Sequence, residues 1–450
     1  MEINMTDKAL ELLRAKRFQD LKGLFSALNP ADVAQIFEEL PHNDESLPIL
    51  FRILPKEMAA DAFIEMDNDS QELLIKAFND KELKEVLDEL FVDDTVDLIE
   101  EMPAGVVKRI LRNTDPETRR IINQILKYPD DSAGSIMTTE YVRLQKDMTV
   151  DQAFARIRET GADKETIYTC YVTDERRLLL GIVTVRQLLL ADRSEKLSDI
   201  METHIISVDT FEDKEIAAQI MSKYDFSVVP VVDREKRLVC IITFDDALDV
   251  MEDEASEDIA KMSAVTPTDK PYLKTTVIET WKARIPWLLL LMISATFTGM
   301  IITSFETALA SYVVLTAYIP MLMDTGGNSG SQASVTVIRG ISLGDIEFSD
   351  LPQVIWKEAR VAVLCGATLS AANFVKLILL DRVGMAVALV VSLTLLVTVM
   401  VAKAVGCTLP ILAKKAGFDP TVMASPFITT IVDAISLFIY FTIATHLLGL

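Results

Sequence analysis

Hydrophobic and polar positions follow three successive patterns along this 450-residue chain. From residue 7 to about 128, apolar residues recur at helical spacing within short segments that end at Pro, Asn or Asp, and similar segments return about every 25 residues. That period predicts helix pairs stacked into a small superhelix. Between residues 137 and 250, β-branched strands alternate with helices, and beyond residue 285 long apolar runs dominate. We therefore predict a multi-domain membrane protein with an all-α superhelical N-domain, an α/β region and an all-α membrane domain.

Five apolar runs predict a transmembrane domain of five helices. They cover residues 285–305, 308–323, 361–380, 383–405 and 421–448. Most reach the ~20 residues that a helix needs to cross ~30 Å of hydrocarbon. The second run is short, and we expect it to continue to residue 338, beyond the polar, glycine-rich interruption at 325–332.

Basic residues beside these runs predict their orientation, because Lys and Arg favour the cytoplasmic side. The end of the fourth run and the loop to the fifth are marked by Lys403, Lys414 and Lys415, whereas the opposite loops hold only Arg382. This alternation places the N-terminal domains in the cytoplasm and the C-terminus outside, and we expect the membrane to be the cytoplasmic (inner) membrane. No secretory signal opens the chain, so we expect the first 270 residues to stay in the cytoplasm.

Charge is concentrated in the part of the chain before the apolar runs. The first 270 residues hold 57 acidic and 33 basic residues, a net charge of −24, while the rest of the chain is nearly neutral. Such a region does not bind nucleic acid or anionic lipid through bulk charge, and it attracts cations. An ordinary acidic, solubilising surface is the alternative. Three scattered His residues and four Cys residues without CxxC spacing make zinc or iron sites unexpected, so magnesium or calcium is the better match.

Asp433 is an acidic residue inside the last apolar run. An ionised side chain at bilayer depth costs roughly 2.5 to 3.5 kcal/mol on insertion scales unless it faces a partner or a watery path. Asp433 is therefore a candidate cation site. Asp324 lies at the edge of the glycine-rich segment, where it either faces an aqueous vestibule or caps a helix break.

A second group of carboxylates precedes the membrane domain. Asp246, Asp249, Asp253 and Glu257 follow one another at steps of three or four, which places them on one helix face where like charges repel. A bound divalent cation would relieve this repulsion, although a solvated helix face without a ligand has the same pattern. Carboxylates that other domains could contribute to shared sites are Asp61, Asp93, Asp94, Glu215 and Asp225.

The α/β region contains an internal duplication that resembles a tandem pair of cystathionine-beta-synthase (CBS) domains. Residues 137–139, 171–174 and 181–184 match 201–203, 230–233 and 240–243. The resemblance implies an adenine nucleotide, such as ATP, as a possible regulator. Its Thr-x-x-Asp motif is present as Thr243 and Asp246, whereas the first half has Gln187 in place of the Asp. Arg186 would meet a phosphate or form a surface salt bridge, and Phe226 completes the candidate nucleotide site.

The whole chain resembles the MgtE family of magnesium channels. Three motifs carry the resemblance: residues 133–138 at the opening of the first CBS domain, 326–332 in the second span and 425–433 in the fifth. It implies the following domains: a superhelical N-domain at 1–130, CBS domains at 131–200 and 201–250, an acidic linking (plug) helix at 251–275 and a transmembrane domain at 276–450.

The resemblance also implies a homodimer with an ion path along the dimer axis. The path would be lined by Asp433, Thr429, Ser425, Asp324 and Asn328. Regulatory Mg²⁺ would bind between the acidic domains and press the plug helix against the cytoplasmic mouth, so the transported ion closes its own channel. The implied regulatory ligands are Asp61, Asp93, Asp94, Gly134, Glu215, Asp225, Asp246, Asp249, Asp253, Glu257, Asp258 and Asp419.

Two other functions fit the same sequence. One is a secondary carrier that couples a divalent cation to Na⁺ or H⁺, although the five spans contain no recognisable inverted repeat. The other is a nucleotide-sensing membrane receptor or enzyme, although no phosphate-binding GxxxxGK[ST], GxSxG elbow or His/Cys site is present, so no enzyme activity is expected. Selectivity for Mg²⁺ over Mn²⁺ or Co²⁺ stays open.

Overall fold

The computed structural model describes residues 5–39, 46–268, 272–273, 275–423 and 425–449, without the side chains of residues 57, 163, 307–309 and 425. The chain forms two compact units. The N-terminal unit is Met1–Met251 and the membrane unit is Glu252–Leu450.

The N-terminal unit begins with a series of short helices. They are α1 (Met5–Arg14), α2 (Phe18–Phe25), α3 (Pro30–Glu38), α4 (Ser46–Phe51), α5 (Lys56–Ile64), α6 (Asn68–Ala77), α7 (Asp80–Leu87), α8 (Val92–Glu101), α9 (Ala104–Asn113) and α10 (Pro116–Ile125). Several starts are capped by side chains, because Asp67, Asn79 and Asp115 accept hydrogen bonds from the first free backbone N–H groups. Alternate helices stack, α3 on α5, α5 on α7 and α7 on α9, as in the predicted superhelix.

Two small α/β domains follow with the same topology. The first contains β1 (Tyr141–Gln145), α11 (Val150–Thr160), β2 (Thr166–Thr173), β3 (Leu179–Thr184), α12 (Val185–Leu190) and α13 (Leu197–Ile200). The second contains β4 (Val208–Asp209), α14 (Lys214–Tyr224), β5 (Val228–Val232) and β6 (Leu238–Thr243). In each sheet the first strand pairs parallel with the second and the third pairs antiparallel with the second, which confirms the predicted duplication.

The acidic helix α15 runs without interruption from Phe244 to Met262. It therefore begins at the end of β6, and the predicted domain boundary at residue 251 falls inside it. Its first part belongs to the N-terminal unit and its last part to the membrane unit. The predicted linking segment extended to residue 275, and positions 269–271 and 274 of it lie outside the described residues.

The membrane unit consists of helices. They are α16 (Val277–Ser304), α17 (Glu306–Ser311), α18 (Ile319–Ser342), α19 (Leu351–Leu379), α20 (Met385–Lys415) and α21 (Ser425–Leu448). In the described part of the chain, four helices are long and apolar enough to cross a membrane, namely α16, α19, α20 and α21. With the 24-residue α18, which packs against α20 and α21, they make up the five predicted helices.

The second apolar run does not form one helix as predicted. The short α17 and a 3₁₀ segment at Val313–Tyr318 precede α18, which begins at Ile319 with Pro320 in its first turn, where proline is tolerated. The polar segment 325–332 is helical, in agreement with the expectation that the second span continues through it to residue 338. Asp324 therefore lies inside a continuous helix, and its alternative role as a cap at a helix break is wrong.

Candidate ion pathway and regulatory carboxylates

One face of α18 is made of glycines that touch the neighbouring helices. A Cβ added at Gly326 would lie 2.7 Å from Cγ2 of Thr398 on α20, and one added at Gly327 would lie 2.9 Å from Cγ2 of Thr429 on α21. Larger residues would push these helices apart. The glycine-rich segment therefore serves close helix packing.

Another face of α18 carries exposed polar side chains at steps of four residues: Asp324, Asn328, Gln332 and Thr336. At bilayer depth, such side chains need water or another protein surface, because hydrocarbon cannot hydrogen-bond them. We refer to these four residues as the polar stripe. Two predicted pathway residues, Asp324 and Asn328, belong to it.

Asp433 lies on α21 and is half-buried. Asp324 is close enough for the two carboxylates to interact electrostatically. Thr429, one turn before Asp433, donates its hydroxyl hydrogen to the Pro426 carbonyl at 2.9 Å, which leaves its oxygen lone pairs as acceptors. Ser425 begins α21, but its side chain lies outside the described residues.

A buried ion pair inside the membrane unit was not predicted. Lys403 lies within α20, is 5% exposed, and places its ammonium 3.5 Å from the Glu358 carboxylate of α19. The predicted end of the fourth run at residue 405 is too early, because α20 continues to Lys415 and Lys403 lies inside it. Burial of an unpaired charge at this depth is costly, so Glu358 and Lys403 depend on each other.

The last turns of α15 contact two other parts of the membrane unit. The Lys261 ammonium lies 2.7 Å from Glu257 and 2.8 Å from Asp419, which precedes α21. Asp258 accepts a hydrogen bond of 3.4 Å from the Ser342 hydroxyl at the end of α18. Glu257 and Asp419, two of the predicted regulatory residues, thus come together, but around an ammonium group that the sequence reasoning did not include. The i to i+4 spacing of Glu257 and Lys261 was the available signal.

Four carboxylates of the N-terminal unit face one another. Asp93 and Asp94 come from α8, Asp246 from the start of α15, and Glu165 precedes β2. Burial, followed by repulsion from one another and from nearby carboxylates such as Asp245, raises the pKa of Asp94 to about 6, of Asp246 to about 7 and of Glu165 to about 8. The same causes raise the pKa of Asp93 well above its usual range, with repulsion there from Asp246, Asp94 and Glu165. Buried oxygens of Asp93 and Glu165 have no hydrogen-bond partner within the described chain. Glu165 was not predicted, because its position in the sequence has no periodic relation to α8 or α15.

The other predicted regulatory residues are more dispersed. Asp225, Asp249 and Asp253 are exposed, and Glu215 accepts a hydrogen bond from Gln219. Asp61 is also exposed, but it lies close enough to Asp94 for its charge to help raise the Asp94 pKa. Gly134 contributes packing, because an added Cβ would lie 2.5 Å from the Tyr128 ring. Within the described ranges, no group of three or more Asp, Glu, His or Cys residues is arranged to hold a metal ion by itself. Any Mg²⁺ held here would therefore keep much of its water shell, which this ion retains readily.

The candidate nucleotide residues are distributed over both CBS domains. Thr243 donates a 2.6 Å hydrogen bond to Asp246, and in the first domain Thr184 and Gln187 form a capping box at the equivalent turn. Phe226 stacks with Tyr224 at 5.5 Å between ring centroids, and Arg186 is exposed. The Gln at position 187 thus caps a helix where the nucleotide motif would have Asp.

The raised carboxyl pKa values predict that the N-terminal unit loses stability with rising pH. These carboxyl groups hold more protons in the folded state than in the unfolded chain between about pH 4 and pH 8, so their contribution to stability is full below about pH 4 and is lost as pH rises through the folded pKa values of about 6 to 8. In EDTA, we expect amide hydrogen exchange in α8 of the full-length protein to be faster at pH 8 than at pH 6, after correction for intrinsic exchange. Mg²⁺ at pH 8 should slow it again, while NaCl of equal ionic strength should not. Equal protection at both pH values would contradict the prediction.

Comparison with known proteins covers the chain from end to end. The family described as "MgtE intracellular N domain" matches residues 4–131, the CBS domain family matches 133–194 and 197–253, and the MgtE family described as "Divalent cation transporter" matches 319–443. The magnesium transporter MgtE of Thermus thermophilus is 35% identical over 100% of this chain and 99% of its own length. The magnesium transporter MgtE of Bacillus subtilis is 31% identical over 96% of this chain and 95% of its own.

Solved structures give the same result for the N-terminal half. The cytosolic domain of the Mg²⁺ channel MgtE in complex with ATP is 34% identical to this chain, with a TM-score of 0.51 over 54% of this chain and 99% of that one. The soluble part of a magnesium transporter is 30% identical, with a TM-score of 0.51 over 56% and 98%. The predicted resemblance and fold class are confirmed: this chain belongs to the MgtE family of divalent cation transporters.

Proposed function

We propose that this protein is a Mg²⁺ channel of the cytoplasmic membrane that intracellular Mg²⁺ closes. The observation that carries the proposal is the half-buried Asp433 beside Asp324 at membrane depth. Carboxylates suit a largely hydrated Mg²⁺, because this ion gives up its water reluctantly and binds oxygen ligands. Full-length relatives named as magnesium transporters support the same choice of ion.

The active form is a homodimer with the polar stripe of α18 turned inward. In a single chain this stripe is exposed, and exposure to lipid would leave its amide and carboxylate groups unsatisfied, whereas the Thr336 hydroxyl donates to the Gln332 carbonyl at 2.9 Å. A second copy related by a two-fold axis would enclose the two stripes around a wet path, since a two-fold interface uses the same surface of both copies. The N-terminal unit then lies in the cytoplasm, and the C-terminus lies outside.

Closure by Mg²⁺ follows from charge. Asp93, Asp94, Glu165 and Asp246 repel one another when ionised, and Mg²⁺ bound among them would stabilise their compact arrangement. Asp246 lies in the first turn of α15, and Asp258 and Lys261 lie in its last turns. The state in which these last turns are docked against α18 is the closed state of the proposed channel.

An adenine nucleotide is proposed as a second regulator. A relative's cytosolic domain, 34% identical to this chain, was solved in complex with ATP. Arg186, Phe226 and Thr243 are the residues of this chain that we assign to the nucleotide. Asp246 would belong to both sites, so nucleotide and Mg²⁺ binding are expected to be coupled.

The test is current through inside-out patches while cytoplasmic Mg²⁺ is stepped from micromolar to ~10 mM. We expect current at micromolar Mg²⁺ and closure at millimolar Mg²⁺. A flux that requires a Na⁺ or H⁺ gradient would favour the carrier alternative, and the absence of any Mg²⁺ flux would overturn the proposal.

Replacing Asp93 with asparagine should weaken closure. The change removes one of the charges that attract the regulatory ion, and a loss of about 1.4 kcal/mol in binding raises the half-closing Mg²⁺ concentration about tenfold. The conducting state at low Mg²⁺ should persist. Asp88→Asn serves as the control, because Asp88 is an exposed carboxylate of the same unit outside this cluster. Equal half-closing concentrations in both variants would remove Asp93 from the sensor.

A further inference from the structure

Lys261 occupies the place between two carboxylates to which a regulatory cation was assigned. Its ammonium lies 2.7 Å from Oε1 of Glu257 and 2.8 Å from Oδ2 of Asp419, and its side chain is 25% exposed. Both distances are those of charge-assisted hydrogen bonds. The site therefore already holds a positive charge supplied by the chain.

Asp419 is fixed in the orientation that this contact needs. Its other oxygen, Oδ1, accepts a 2.8 Å hydrogen bond from the Thr421 backbone N–H and another from the Thr421 hydroxyl. Oδ2 is thereby turned towards Lys261. The contact joins the end of α15 to the loop between α20 and α21.

A neighbouring contact ties the same helix end to α18. Asp258, the residue after Glu257, accepts the Ser342 hydroxyl at 3.4 Å. Ser342 ends α18, so the end of α15 is held at two places. One is the charged contact of Lys261 with Asp419, and the other is the hydrogen bond from the neutral Ser342 hydroxyl. Lys261 supplies the positive charge of this arrangement and offsets Glu257, Asp258 and Asp419, which would otherwise repel each other.

We propose that Lys261 acts as a tethered cation that holds α15 docked in the absence of Mg²⁺ and so lowers the Mg²⁺ concentration at which the channel closes. The proposal rests on the proposed function, in which docked α15 is the closed state. A tethered group has a high effective concentration at its site. The Lys261 ammonium therefore already stabilises the docked, closed state before any ion binds. Mg²⁺ then needs to change the ratio of closed to open channels by a smaller factor.

The test compares Lys261→Met with Lys261→Arg in the full-length protein. Methionine keeps most of the side-chain volume without the charge, while arginine restores the charge and the donors. We expect the methionine variant to be open more often at zero cytoplasmic Mg²⁺ and to need about fivefold more Mg²⁺ for half-closure, as expected for the loss of one charge-assisted contact. Arginine should return both values towards wild type.

Lys415→Met is the matched control. It removes the same charge four residues before Asp419, but Lys415 lies over the Phe348 ring, 3.5 Å from its centroid, and is not paired with Asp419. A similar increase in the half-closing Mg²⁺ concentration of this control would indicate a long-range effect of net charge, and it would overturn the proposed role of Lys261. A half-closing concentration that falls in Lys261→Met would mean that Lys261 competes with Mg²⁺, which also overturns it.

Hydrogen exchange tests the proposed role of Lys261 independently of the proposed channel function. In EDTA, the amides of 252–262 should exchange faster in Lys261→Met than in wild type, with recovery in the arginine variant. If wild type carries no Mg²⁺-closed current, the proposed function fails, and the exchange result still decides whether Lys261 holds the helix end. Unchanged exchange together with unchanged half-closure would refute the inference while leaving the channel assignment intact.

Discussion

Asp433→Ala should reduce Mg²⁺ current by at least about 100-fold. The substitution removes the negative charge that offsets the dehydration cost of a divalent ion at membrane depth. Two unit charges 4 Å apart interact by about 4 kcal/mol at an effective dielectric constant of 20, and each 1.4 kcal/mol corresponds to a factor of ten. The measurement is current at micromolar cytoplasmic Mg²⁺, where closure does not interfere, normalised to the amount of protein in the membrane.

Glu306→Gln is the control for this prediction. Glu306 is an exposed carboxylate in the same unit, at the start of α17 and away from the polar stripe. It should leave the current near wild type. Asp433→Asn adds a second comparison, because it preserves shape and removes only charge. Wild-type conduction in Asp433→Asn would show that Asp433 contributes packing and that the path lies elsewhere.

Gly406→Ala should destabilise the membrane unit more than other glycine substitutions in it. A Cβ at Gly406 would lie 2.2 Å from the carbonyl oxygen of Gly330 on α18, so α18 and α20 must separate. Overpacking of this kind costs about 3 kcal/mol when the clash is with backbone. We expect a lower midpoint of thermal unfolding in detergent and a loss of Mg²⁺ flux.

Gly299→Ala provides the comparison on α16. Within the described part of the chain, a Cβ built at Gly299 would meet nothing within 4 Å beyond the adjacent residues and backbone of α16 itself, so the same chemical change meets open space there. It should unfold at or slightly above the wild-type temperature, because alanine is the better helix former. Equal midpoints for the two variants would mean that α18 and α20 can relax apart without cost.

The fold followed from patterns that are local in sequence. Apolar runs predicted the long helices of the membrane unit, and alternating β-branched segments predicted two equivalent sheets. The error at α18 was its start, because apolar residues from 308 onward do not show where a helix begins, and the structure has α17 and a 3₁₀ segment there. The continuation through the glycine-rich segment was predicted, and Gly326 and Gly330 are sites of contact with α20 and α21.

The candidate sites were predictable only in part. Asp433 was identified because it is a carboxylate inside an apolar run. That inference needs only the cost of a charge in the bilayer and no knowledge of tertiary contacts. Glu165 and the pair of Glu358 with Lys403 are brought to their partners by tertiary packing, and no spacing in the sequence indicates those contacts. The regulatory role of the carboxylates stays a prediction.

The glycine contacts of α18 also limit the ways in which the channel can move. Backbone of α18 touches backbone of α20 at Gly330 and Gly406, without flexible side chains between them that could repack. Two helices in such contact have few independent degrees of freedom, and they shift as one rigid body. In the proposed homodimer, widening of the path would then require displacement of whole α18–α20–α21 blocks about the dimer axis, with α18 staying straight.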